Sequence, residues 1–289
     1  MTLDEVQWIH IEASSRCNAW CPSCPRNLNG HGLRPGLVEQ DIQLDLVAQT
    51  LSLLPGLKTV QLCGNYGDPL AHANIDSLID MILEHGLALQ IHTNGSLRNL
   101  EFWSALGKKF QLHNREHTVW FGIDGIGSVH EIYRQATDYD RIIANAKCFI
   151  DNGGRAVWQF ILFEHNQHQI RDCMRLSQDL GFHQFKLVKT FRSGVTLGKH
   201  WRTGQSFSLA PASVYTPLNF VVKSGIVQPK DCMHLDTNSV YLSADGHFSP
   251  CCYFSSKRKY QSLADMLDIE NLARELDTPH TVCLTNCGQ

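Results

Sequence analysis

Three cysteines crowd one short stretch near the N-terminus of this 289-residue chain. Cys17, Cys21 and Cys24 stand in SSRCNAWCPSCPR with the spacing C-x3-C-x2-C. Three thiolates on one loop can hold three irons of a [4Fe–4S] cube, which ordinarily takes four cysteines. A missing fourth leaves one iron able to bind a small molecule, so the loop describes an electron source with an open coordination position. The competing chemistry is a tetrahedral zinc site, with His31 in the following loop as a fourth ligand.

A second group lies at the other end. Of the 11 cysteines, five fall within residues 232–287: Cys232, Cys251, Cys252, Cys283 and Cys287. A predicted hairpin, 239–243 and 247–253 about a turn at Ala244-Asp245-Gly246, brings Cys251 back beside Cys232. A predicted helix at 262–276 then delivers Cys283 and Cys287. Four thiolates can thus enclose a second [4Fe–4S] cluster or a zinc ribbon. On a strand Cys252 faces away from Cys251, so only one of the two serves. Of the solitary cysteines, Cys148 and Cys173 read as core. Cys63 ends a predicted strand near the first loop and is a candidate donor of a hydrogen atom or proton beside its plainer reading as a small buried hydrophobe.

The elements that must position these groups alternate through residues 1–190. Strands are predicted at 7–13, 59–64, 88–93, 118–123, 156–163 and 184–189. Between them, apolar residues recur every three to four positions at 41–54, 75–85, 100–106, 141–151 and 169–180. Strand–helix alternation implies a parallel sheet, either open and doubly wound or an incomplete barrel. Residues 191–231 lose the rhythm and read as a linker or flap.

Ligands of parallel α/β sheets gather at the carboxyl ends of the strands, and unusual residues stand there. After the second strand comes CGNYGDP, after the third HTNG, after the fourth GIDG. Together with the first cysteine loop, in this order, they resemble the radical S-adenosylmethionine (radical SAM) superfamily. The resemblance implies a partial (β/α)6 TIM-like barrel. Cys17, Cys21 and Cys24 would bind the cluster, and the amino and carboxylate groups of S-adenosylmethionine would chelate its free iron. Reductive cleavage would then yield a 5′-deoxyadenosyl radical that abstracts hydrogen from a substrate. Tyr66, Gly67 and Asp68 match the family's Gly-Gly-Glu, which receives the amino group. Asn94 matches a ribose contact or a turn cap, Arg134 an arginine that grips the carboxylate, and Gln159 a further ribose contact. Gly122 stands where the family carries a serine.

The tail resembles the family's short auxiliary-cluster extension, the twitch domain, over residues 232–289, with Cys232, Cys251, Cys283 and Cys287 as ligands of a second [4Fe–4S] cluster. The longer SPASM form has no room after Cys287. The resemblance also implies a low-potential electron donor such as flavodoxin or ferredoxin, and a small-molecule or peptide substrate. Because the sequence begins almost at its first strand, no leader-peptide-binding domain is expected, which disfavours a ribosomal peptide. Loop 26–38, with three glycines and two arginines, is a candidate contact for an anionic substrate. The outcome is oxidation, bond formation or epimerisation; the alternative from another class is a non-catalytic, zinc-stabilised binding module.

Composition narrows the rest. A net charge of −3 and a pI near 6.6 give no broad electrostatic attraction to nucleic acid. No apolar run is long enough to span a bilayer, and MTLDEVQWIHIEA lacks the basic-then-apolar order of a signal peptide. The expected location is the cytoplasm, where clustered cysteines point to metal rather than disulfides.

Overall fold

The computed structural model describes residues 1–113, 115–189, 196–213 and 237–275. Six strands run parallel in sequence order: β1 (Trp8–Ile11), β2 (Thr59–Leu62), β3 (Ala88–Thr93), β4 (Thr118–Gly122), β5 (Ala156–Leu162) and β6 (Gln184–Lys189). Each lies at its sequence-predicted place, shortened by up to three residues at the ends. The helices between them are α1 (Leu44–Ser52), α2 (Ile75–Glu84), α3 (Leu100–Leu112), α4 (Ser128–Tyr133), α5 (Tyr139–Asp151) and α6 (Ile170–Asp179). This is the partial (β/α)6 barrel, open among the described residues.

Period two sorts the side chains. In β3, Leu89, Ile91 and Thr93 are buried towards the helices while Gln90 and His92 take the opposite face. In α2, Ile75, Leu78, Ile79, Ile82 and Leu83 form the apolar stripe that covers the sheet. The core lies between sheet and helices around Trp103, Phe121, Phe149, Trp158 and Phe160, all fully buried. The inner face carries polar and aromatic side chains: His10, Gln61, His92, Trp120 and Gln159.

The stretch read as a linker contains an antiparallel hairpin, β7 (Thr196–Lys199) with β8 (Ser206–Leu209). The C-terminal hairpin does not stand alone. β9 (Ser239–Leu242) pairs in parallel with β1, and β10 (Phe248–Ser249) pairs antiparallel with β9, giving one sheet of order β10-β9-β1-β2-β3-β4-β5-β6. The predicted second strand of that hairpin stops at Ser249; Cys252–Phe254 is a 3-10 turn. Helix α7 (Leu263–Glu275) follows as predicted. No helix among the described residues is long and apolar enough to cross a membrane.

Candidate functional site at the carboxyl end of the sheet

The three-cysteine loop leaves β1 at the carboxyl end of the parallel strands and is fastened there from several sides. Cys24 N donates to the Cys21 carbonyl (3.0 Å) and Asn27 Nδ2 to the same oxygen (3.1 Å). Arg26, almost fully buried, donates to the Ser15 carbonyl (2.6 Å) and pairs with Glu39. Trp20 N donates to the Gln135 carbonyl at 2.9 Å. Cys21 packs with Ala19, Tyr133, Phe163 and Leu209 in a small apolar cluster beside Cys17 and Cys24.

Two polar groups touch the sulfurs. Ala19 N donates to Cys17 Sγ (3.4 Å) and Asn94 Nδ2 approaches the same sulfur at 3.7 Å. Burial, then Asp68, Cys21 and Cys24, push the Cys17 thiol well above its ordinary range. Three thiolates in this setting need a compensating positive charge, which a bound iron cluster brings. Among the described residues no three His, Cys, Asp or Glu side chains converge as a single-ion site. His31, weighed as a fourth zinc ligand, turns its Nδ1 to the Trp201 carbonyl at 3.1 Å. A donor set of three neighbouring thiols with N–H groups on sulfur fits a three-thiolate cluster.

The turn after β2 lies directly against this loop. A Cβ on Gly67 would stand 2.0 Å from the Ser14 carbonyl oxygen, so only glycine allows the two backbones to approach. Beneath the turn lies Glu12, which sequence reading missed. Its carboxylate accepts from Tyr66 N (2.6 Å) and from Tyr241 Oη of β9 (2.7 Å), and burial raises its pKa. An acid that immediately follows a buried apolar strand was the available signal.

Asp68 is buried and already employed. It accepts from Leu70 N (3.0 Å), from Thr93 Oγ1 (2.9 Å) and from Asn94 N (2.8 Å), so it fixes the end of β3. Asn94 in turn donates to Asn18 Oδ1 (2.9 Å) and accepts from Ser96 N (2.9 Å). It both caps its turn and reaches the cysteine loop.

Arg134 enters from the short helix α4, which sequence periodicity did not reveal. Its Nε donates to the fully buried Asp124 at 2.6 Å. Burial opposes the guanidinium charge, but Asp124 and then Cys21 outweigh it. Gln159, on β5, pairs in register with Lys186 of β6, on the strand next to Gly122. Cys63 is pushed up to about 12 by burial, with Glu12 and Asp68 adding to it, so the thiol stays protonated.

The glycine-rich loop after the cysteines forms one wall of a cavity of about 440 Å³, with Arg34, Tyr66, Asp245, Ser255 and Lys259 among its lining residues. Cys251 is buried beside Phe254, and the Cys252 carbonyl accepts from Asn65 Nδ2 at 2.8 Å. Cys232, Cys283 and Cys287 lie outside the described residues.

No protein-family model matches the chain, and no curated protein matches it. Solved structures do. SuiB from Streptococcus suis, bound to S-adenosylmethionine, superposes with a TM-score of 0.65 at 15% identity, over 95% of this chain and 68% of SuiB. SuiB bound to its precursor peptide SuiA gives 0.62 at 15% identity, over 92% and 64%. The chain spans half the length of anSMEcpe with bound AdoMet, at 16% identity, 64% coverage of this chain and a TM-score of 0.51. The chain has the fold of these radical SAM enzymes. In SuiB and anSMEcpe that fold is seen with S-adenosylmethionine bound.

Proposed function

We propose that the chain is a radical SAM enzyme in which Cys17, Cys21 and Cys24 hold a [4Fe–4S] cluster and the strand ends around them receive S-adenosylmethionine. One observation carries this reading: the three thiols share a loop at the carboxyl end of the parallel sheet, pinned by Asn94, which Asp68 holds. When bound, a cluster with one thiolate-free iron supplies the electron that splits the sulfonium and so gives a carbon radical able to take hydrogen from a substrate.

The chain's own residues then have distinct tasks. Asn94, Asn18 and Ser96 hold the cysteine loop at a fixed height above β3. Glu12 keeps the turn 65–67 in place, so that its backbone faces the cofactor's amino group. Arg134, paired with Asp124, meets the cofactor's carboxylate. The apolar cluster of Ala19, Tyr133, Phe163 and Leu209 excludes water from one side of the cysteines. In this reading Cys251, with Cys232, Cys283 and Cys287, forms a twitch-like auxiliary cluster, and a flavodoxin or ferredoxin delivers electrons. The substrate is a small molecule or a peptide.

Anaerobic reconstitution tests the reading. Wild-type protein is expected to carry iron and sulfide and, with dithionite and S-adenosylmethionine, to release 5′-deoxyadenosine. The triple variant C17A/C21A/C24A is expected to release none. Zinc in place of iron and sulfide, or unaltered release by the triple variant, would overturn it.

A further inference from the structure

The turn after β2 is fastened from two directions, and a single side chain makes one of the attachments. Towards the cysteine loop, Asp68 N donates to the Arg16 carbonyl at 2.8 Å. Towards the C-terminal hairpin, Asn65 Nδ2 donates to the Cys252 carbonyl at 2.8 Å and to Ser255 Oγ at 3.1 Å. A carbonyl oxygen only accepts, so the amide nitrogen of Asn65, and not its oxygen, faces Cys252. Tyr241 Oη lies 3.4 Å from the same nitrogen and gives its own hydrogen to Glu12 at 2.7 Å. Glu12 accepts in turn from Tyr66 N at 2.6 Å. Asn65, Tyr66, Glu12 and Tyr241 thus close a ring that joins the turn to β1 and β9.

The far end of this tie is firmly held. Cys252 opens a 3-10 turn that ends at Phe254, and Phe254 N donates to the Cys251 carbonyl at 3.0 Å. Phe254 is buried, with the Arg258 guanidinium 5.1 Å from its ring centroid. Arg258 pairs with Glu270 of α7 at 2.8 Å. Ser249 Oγ of β10 donates to the Arg258 carbonyl at 2.6 Å. The segment that Asn65 grips is therefore anchored to both β10 and α7. Cys251, a candidate thiolate ligand, directly precedes the residue whose carbonyl Asn65 holds.

We propose that Asn65 is a positioning residue that couples the turn carrying Cys251 to the turn that receives S-adenosylmethionine. The inference rests on the enzymatic reading above and adds to it a route by which the C-terminal hairpin sets cofactor affinity. In that reading the turn 65–67 meets the cofactor's amino group with its backbone. A backbone contact has no side-chain rotor to adjust it, so its strength follows from where the turn stands. Glu12 fixes that place through Tyr66 N, and Asn65 fixes it against residues 252–255. Coupling between two sites is reciprocal. A segment that steadies the cofactor's seat is itself steadied when the cofactor binds.

Amide hydrogen exchange on the full chain, read by mass spectrometry, tests it. In metal-free protein, Asn65→Asp keeps the size of the side chain and removes its amide hydrogens. It is expected to speed exchange at least tenfold in both 63–68 and 250–256; faster exchange in 63–68 alone would overturn the tie. In reconstituted protein, S-adenosylmethionine is expected to slow exchange in 250–256 as well as in 91–97, around Asn94. In Asn65→Asp the protection of 91–97 is expected to stay and that of 250–256 to vanish. Affinity for S-adenosylmethionine is expected to fall at least tenfold, about 1.4 kcal/mol. Asn65→Ala, free of the added charge, is expected to repeat these results, and Lys108→Met, on the exposed side of α3, to change nothing. Protection of 250–256 that survives both Asn65 variants, or that is missing from wild type while 91–97 is protected, defeats the coupling. No protection of 91–97 and no release of 5′-deoxyadenosine in wild type would sink the enzymatic reading itself, and the coupling with it.

Discussion

The Arg134 guanidinium occupies the place where a side chain at position 122 would stand. A Cβ on Gly122 would come within 2.7 Å of Arg134 Nη2 and 2.9 Å of its Cζ. The glycine at 122, where the radical SAM enzymes that the sequence resembles carry a serine, is therefore matched by the arginine it admits. Gly122→Ser is expected to push Arg134 off Asp124, which leaves a buried carboxylate without its partner. The cost is about 3–5 kcal/mol for a broken buried pair, read as a lower midpoint in urea unfolding. S-adenosylmethionine binding is expected to weaken in parallel. Unchanged stability and affinity would show that the guanidinium simply moves aside.

Glu12 gives a prediction in pH. Its pKa is raised above the ordinary value of 4.5, chiefly by burial. A carboxyl raised by folding supplies its stability fully below the unfolded value and loses it as pH rises through the folded one. Glu12→Gln does not titrate, and its amide can still accept from Tyr66 N and donate to the Tyr241 oxygen. The variant is expected to match wild type near pH 4 and to become the more stable of the two towards pH 8. Urea melts at several pH values measure this; a difference independent of pH would refute it.

Two buried histidines act in the opposite sense. His130 accepts from Asp124 N (3.1 Å) and shares its Nε2 with Thr137 Oγ1 (3.1 Å). Burial lowers the pKa of both His130 and His92 from 6.5 to about 3. The unfolded chain takes up these protons first, so stability is expected to fall as pH drops below 6.5. Each contributes up to about 1.4 kcal/mol per pH unit. The double variant H92Q/H130Q is expected to lessen this loss between pH 6.5 and 4.5, His117 and His165, both lowered to about 4, keeping the remainder; the same melts check it.

Much of this architecture was legible in the sequence because it is local. Alternation in ALQIHT and the three-to-four spacing in α2 are visible in a single window, and both elements fall where predicted. Helix α4 was not legible: six residues opened by Gly127 complete less than two turns, too few for a stripe to repeat. The pairing of β9 with β1 was not legible either, because a strand's pattern states which face is buried and says nothing of its neighbour. In the site, the cysteine loop and the strand-end motifs come together at the carboxyl end of the sheet, as their places after successive strands in the sequence imply. The task of Asp68 did not follow from its motif, since three donors from Leu70, Thr93 and Asn94 converge on it only in the folded chain.

The parallel neighbour of β1 has a kinetic consequence. Glu12 and Tyr241, joined by one hydrogen bond, are 229 positions apart in sequence. Until ribosomes have made the far segment, the strand that carries the cysteine loop lacks one of its two hydrogen-bonding partners, and Glu12 lacks its phenol. Closing so long a loop is slow. The three thiols of the cysteine loop are thus translated long before the strand that carries them gains its second partner, so under the proposed reading a cluster would be loaded only after the chain is complete.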